Sequence, residues 1–242
     1  MIRGSIAGLL AGLGLYAALR SAGFYGFTGR ETEGLAILLQ VVGDIYAVLL
    51  AFVIFVIWGQ FTEVADCVMR ECDSLTDVQR FSNYLDAESH AAIRRALSNY
   101  AAHVLRFEWD ALGDGRADPQ AEIVFSKLVA SVVEANPQTD AQRQMHGRLI
   151  DMVREAGMRR GERVSKSLTR IPPTLVALVN TIAGALLFLV FLYPFHTWYM
   201  GGGGFLLVGA LLLLANFVMM DTDNPLKGAW NVSPEPFNGL KT

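Results

Sequence analysis

The sequence predicts an all-α membrane protein, with four transmembrane helices and a cytoplasmic helical bundle inserted between the second and the third. Three observations predict it. Four long stretches are nearly free of charge in a chain that is 52% hydrophobic and 18% charged. Apolar residues recur at helical steps of three and four through the polar region between two of those stretches. No segment alternates apolar and polar residues with the period of a strand.

Residues 1–20, MIRGSIAGLLAGLGLYAALR, form the first stretch. An early positive charge followed by an apolar run also describes a signal peptide. Arg20 sits where a small-residue cleavage region would be needed, and Gly4, Gly8 and Gly12 repeat at a spacing that lets helices approach closely in lipid. The segment reads as a short retained membrane helix, with the signal peptide as the alternative. Ser21 to Glu33 is a polar loop.

One long helix is expected from Gly34 to Leu85. Its first part, residues 35–61, is apolar but for Asp44, and about 20 such residues suffice to cross a bilayer. Beyond Phe61 the same helix turns amphipathic: Val64, Val68, Leu75, Val78 and Leu85 form a stripe between charges. Residues 62–171 make the cytoplasmic domain. Asp118-Pro119 predicts an N-cap with proline at the first helical position, and Thr139 with Gln142 a capping box. Packing seams run along Ile93, Leu97, Tyr100, Val104, Phe107 and Ala111, and along Met145, Leu149, Met152 and Ala156. Val124, Leu128 and Val132 mark a shorter helix between them. With the extension of the second span, four helices suffice for a bundle.

Residues 174–194 and 201–220 are the third and fourth spans. The short aromatic connection YPFHTWYM suits a membrane–water interface and makes the two an antiparallel hairpin. Pro172 and Pro173 separate the third span from the helix before it. Residues 221–242 form a C-terminal tail. Arg159, Arg160, Arg163, Lys166 and Arg170 cluster just before the third span, and the loop after it is uncharged. The positive-inside rule then puts residues 62–171 and both termini in the cytoplasm.

Several function classes are excluded or disfavoured. A net charge of −3 leaves no uniformly basic surface for nucleic acid. Cys67 and Cys72 lie on one helix and point about 140° apart, so neither a disulfide between them nor a metal pair is expected. The four histidines are scattered, no strand leads into Gly201–Gly204 as a phosphate loop requires, and no nucleophile elbow occurs. An enzyme is not expected.

The run DIYAVLLAFVIFVIWGQF leads into VMREC and SNYAAHVLRFEWDAL, then RRGERV, IPP and MDTDNPLKGAWNVSPEPF. In order and spacing these resemble the bestrophin-like family of bacterial and plant membrane proteins, from about Val41 to Phe237. Glu71, Tyr100, Glu108-Trp109 and the segment Asp221, Asp223, Asn224, Pro225 carry the resemblance together. It implies an integral protein of a bacterial inner membrane in contact with lipid. It also implies a homo-oligomer, pentameric as in bestrophin anion channels, that passes inorganic ions, and a calcium site after the last span. The chain departs from that pattern at Leu226, where an aromatic is usual, and lacks the downstream acidic run. Both departures weigh against calcium gating, and no other cofactor is expected.

Candidate residues follow. Asp44, Ala47, Ala51, Phe55 and Trp58 share one face of the second span and are the candidate pore lining. Asp44 alternatively caps or snorkels at the outer interface, or bonds to another span. Glu71 falls on the apolar stripe between Val68 and Leu75. It is either a solvated helix carboxylate or a buried one that needs an arginine from another helix. Glu108 and Trp109 are candidates for the bundle core or a subunit interface. Asn180 and Asn216 lie at like depth in the hairpin and are expected to bond to each other. Asp221 and Asp223 either cap the helix end and pair with basic residues such as Arg159, Arg163 or Lys166, or approach a calcium ion together with Asn224. The functional readings are an ion channel lined by the second span and, alternatively, a non-conducting membrane scaffold that binds a protein through its helical bundle. A membrane enzyme with an unrecognised site is a third, weaker one.

Overall fold

The computed structural model describes residues 10–15, 17–18, 21–22 and 30–241. Among these, every regular element is helical. Residues 10–15 and 17–18 are helical too, while the rest of the expected first span, residues 1–9, 16 and 19–20, lies outside the described residues. Three described helices are long and apolar enough to cross a membrane, within Glu31–Ser82, Asp140–Leu192 and Tyr199–Thr222.

Helix α1, Arg30–Ser82, is continuous over 53 residues, about 80 Å at 1.5 Å per residue. Its described part begins at Arg30, so Glu31 and Glu33 belong to the helix and not to a loop. The chain divides into two compact units, and the boundary cuts α1 between Ile57 and Trp58.

The apolar unit holds the first part of α1 with α6 (Pro173–Leu192) and α7 (Trp198–Thr222). Its core is Tyr46, Val53 and Ile57 of α1 with Ile171, Val179, Leu186 and Met219. Pro173 opens α6 at a position whose amide would have no partner in any case. Asn216 donates to the Asn180 side-chain carbonyl at 2.5 Å, tying α7 to α6.

The polar unit comprises residues 58–170 and 222–242. The remainder of α1 packs there with α2 (Ala87–His103), α3 (Trp109–Gly113), α4 (Pro119–Val133) and α5 (Asp140–Leu168). The helix starts obey local chemistry. Asp86 accepts from the amides of Glu88 and Ser89, and Asp118 accepts from Gln120 ahead of Pro119. Thr139 and Gln142 exchange bonds in a capping box. The α1 stripe of Val64, Val68, Leu75 and Val78 is fully buried, and Leu85, in the turn that follows the helix, is buried too.

Two seams differ from the sequence reading. After Ile93, Leu97, Tyr100 and Val104, the expected Phe107 is 58% exposed and Ala111 only half-buried, while Glu108, Trp109 and Leu112 are inside. The cause is a π turn at Val104–Glu108, where the amide of Trp109 bonds back to Val104. One extra residue in that turn rotates everything after it by about 100°. On α5, Met145 and Met152 are half-buried flanks, and the buried line is Leu149, Val153, Ala156, Arg160, Arg163, Ser167. The tail is part of the core: Leu226, Val232, Phe237 and Leu240 are buried against the bundle.

Candidate functional site

Two sets of residues stand out, one in each unit. In the polar unit α1 supplies Glu71, α2 supplies Tyr100, the π turn supplies Glu108, and α5 supplies Arg160 and Arg163. Arg163 and Glu71 have no solvent exposure, Tyr100 has none, and Glu108 has 1%. Arg163 Nε donates to Glu71 Oε2 at 2.6 Å, and Nη2 donates to Glu108 Oε2 at 2.7 Å. The Tyr100 hydroxyl donates to Glu71 Oε1 at 2.5 Å. Arg160 bonds Glu108 Oε1 at 3.0 Å and reaches the more exposed Glu122 with its other terminal nitrogen. The buried Glu71 and Glu108 are thus neutralised by Arg163 and Arg160, with Arg160 reaching the cage's edge at the exposed Glu122; pairing of this kind is the condition for burying charge.

Aromatic rings close the cage. The Arg163 guanidinium lies 5.5 Å from the Phe237 ring centre and that of Arg160 lies 5.7 Å from Phe125. Trp109 meets Phe237 edge-on at 6.4 Å, which puts it in the bundle core. Such contacts add modest cation–π and quadrupolar attraction. Burial opposes the Arg163 charge, but Glu71 and Glu108 outweigh it and hold its pKa well above the ordinary value. Burial, reinforced by Glu71, raises the Tyr100 pKa well above the usual phenol range. The Cys72 thiol beside Glu71 is pushed up to about 12, chiefly by burial. Both cysteines are free and buried.

Of the two readings the sequence leaves open for Glu71, the structure has the buried carboxylate, and Arg163 is its arginine. Sequence reasoning missed Arg160 and Glu122, and it counted Arg160 and Arg163 among the charges flanking the third span. They are spent on internal pairs. The signal was present: Arg160, Arg163 and Ser167 continue the α5 seam in steps of three and four.

In the apolar unit, Tyr46, Val53 and Ile57 are the covered face of α1, whereas Asp44, Ala47, Ala51 and Phe55 are exposed, Phe55 at 75%. Trp58, the first residue of the polar unit, is 48% exposed, stacks on Phe61 and meets Trp230 edge-on at 5.8 Å. Three basic residues were candidates for the helix-end carboxylates, and each has a described partner in the polar unit. Arg159 lies between Glu155 and Glu162, Arg163 is in the cage, and Lys166 bonds Glu63. Asn224 donates to the Gly113 carbonyl at 2.8 Å and accepts from Arg170 at 3.4 Å. Lys227 bonds Asp114 at 2.5 Å, and its stem lies so close that a Cβ at Gly113 would come within 2.8 Å of it. Among the described residues no three of His, Cys, Asp and Glu gather as a metal-ligand group.

A family model, the Bestrophin-like domain, matches residues 26–237. The fold is similar to the crystal structure of a bacterial bestrophin homologue from Klebsiella pneumoniae, with a TM-score of 0.71 at 15% identity over 99% of this chain and 94% of that one. Two single-substitution variants of that homologue match likewise. One, with a tryptophan replaced by alanine, gives a TM-score of 0.74 at 17% identity over 99% and 94% of the two chains. The other, with an isoleucine replaced by threonine, gives 0.70 at 15% over 99% and 96%. No curated protein matches. The family match spans most of the chain, and the helical architecture agrees with it over nearly the full length: this integral membrane protein belongs to the bestrophin-like family.

Proposed function

We propose that this chain is the subunit of a homo-oligomeric ion channel whose pore is lined by α1, through Asp44, Ala47, Ala51, Phe55 and Trp58. The observation that carries the reading is the division of faces on that helix. Its bulky residues Tyr46, Val53 and Ile57 are covered within the apolar unit, and the face bearing the lone carboxylate and two alanines is left open. A carboxylate on an apolar span is costly against lipid and is usually turned toward protein or water. Small residues beside it let a second copy of the helix approach. The family resemblance supports five copies. A ring of Asp44 carboxylates favours cations at that end of the pore.

In the same reading the chain crosses the membrane four times, residues 62–171 lie in the cytoplasm with both termini, and the membrane is a bacterial inner one. Arg159, Lys166 and Arg170 still support that orientation after the cage has taken two arginines. We read Asp221, Asp223 and Asn224 as a structural clasp, because two carboxylates and a committed amide fall short of the six to eight oxygens that calcium takes. Calcium remains the ligand to test there by calorimetry, with Asp223→Ala as the control. The chain is not read as an enzyme.

Disulfide crosslinking of Ala47→Cys and Ala51→Cys chains in membranes tests the pore assignment. Covalent dimers and higher rungs are expected at these positions and not at Ala185→Cys on α6. Crosslinking at Ala185 alone would leave α1 off the axis and favour the non-conducting scaffold.

A further inference from the structure

We infer that the π turn at Val104–Glu108 is a register switch, held in its present setting by the ion pairs of Glu108. Position 104 offers two continuations. In an uninterrupted α-helix the apolar line Ile93, Leu97, Tyr100, Val104 continues to Phe107 and Ala111 in steps of three and four. With the π turn the inward line is Val104, Glu108 and Leu112 instead. The sequence therefore carries two overlapping inward faces on one segment, and the structure uses the one with a carboxylate. A phenylalanine is left 58% exposed as a result.

What selects the carboxylate register is the cage. Glu108 accepts from Arg160 on one oxygen and from Arg163 on the other. No second carboxylate stands in for it, since Glu71 is already on Arg163 Nε and Glu122 is on the outer nitrogen of Arg160. Without Glu108, the π turn places only Trp109 and Leu112 inside. The α register would bury Phe107 and Ala111 in their place and regain a standard hydrogen-bond ladder.

The segment is built to move by one residue. Helix α3 spans only Trp109–Gly113, and residues 114–118 follow it outside any helix, with Gly115 at φ 76°, so a one-residue shift has slack to enter. Upstream, His103 is pinned to Asp118 at 2.7 Å, which marks the fixed end. Downstream, Asn224 on the Gly113 carbonyl, Lys227 on Asp114 and Phe237 on Trp109 clasp the moving end to the C-terminal segment. A turn to the α register breaks these contacts, so the setting of the π turn is coupled to the segment that follows α7. This inference concerns the polar unit alone and stands whether or not the protein conducts.

The test is the maleimide reactivity of Phe107→Cys in the full-length protein, with the parent chain's buried Cys67 and Cys72 as the blank. The thiol at 107 should label at the rate of an exposed cysteine. Adding Glu108→Gln should slow it at least tenfold, as the position turns inward. Further deletion of Arg106 should restore fast labelling. With one residue fewer, position 108 reaches the inward face through a plain α-helix, and position 107 stays outside. An unchanged rate in the Glu108→Gln chain means a fixed turn and overturns the inference. If that chain labels at Cys67 and Cys72, it has lost its fold, and Ala111→Leu decides instead. Strengthening the α seam without touching the cage should slow labelling at 107, and no slowing overturns the switch.

Discussion

At Arg163 a guanidinium without solvent exposure meets Glu71 and Glu108 from two other elements. Removing one partner of such a buried pair costs about 3–5 kcal/mol, because the other charge stays behind unpaired, whereas a well-packed apolar replacement of the whole pair can be neutral. Arg163→Met should therefore destabilise the detergent-solubilised protein by that order. Glu71→Leu combined with Arg163→Met should recover much of the loss, as read by thermal melting. A second expectation concerns alkaline pH. Tyr100 and Cys72 both have pKa values raised above their unfolded ones, Cys72 to about 12. The unfolded chain then binds fewer protons above pH 9, so stability falls as pH rises from there. The decline should be shallower in Cys72→Ala than in the parent chain, relative to each one's own neutral value. A stability curve flat from pH 9 to 11 would contradict the buried setting of both groups.

Among the elements, the helices were the most legible and the π turn the least. The length of α1, the caps at Asp118 and Thr139 and the hairpin of α6 and α7 follow from apolar runs, side-chain acceptors and prolines, which are local signals. The π turn has no such signal, since the α seam through Phe107 and Ala111 is a sound local solution. The register is settled by Arg160 and Arg163 from α5, more than 50 residues on. For the same reason the C-terminal segment looks like a tail in the sequence: Phe237 and Leu240 have a use only once the bundle exists to receive them. The Asn216–Asn180 bond was accessible from depth alone and ties α7 to α6. Such a bond contributes about 0.6 kcal/mol in lipid. A double-mutant cycle of Asn180→Leu and Asn216→Leu should show coupling of that order, and none would place the two amides apart in the membrane.

For the whole molecule, α1 is the shared part. It carries the open Asp44 face in the apolar unit and Glu71 of the cage in the polar unit, on one unbroken helix. The candidate pore face rests on one carboxylate and two alanines that stand out at helical spacing in an apolar run. The cage was only half legible, since a buried arginine and a solvated one look alike in sequence. The measurement that tests the channel reading most directly is current from purified protein in planar bilayers under asymmetric salt, for the parent chain and for Asp44→Asn. The expected result is discrete channel openings, with a reversal potential that moves away from cation preference when Asp44 is neutralised. Silent bilayers from protein shown to be folded and oligomeric, or a reversal potential indifferent to Asp44→Asn, would contradict a pore lined by this face of α1.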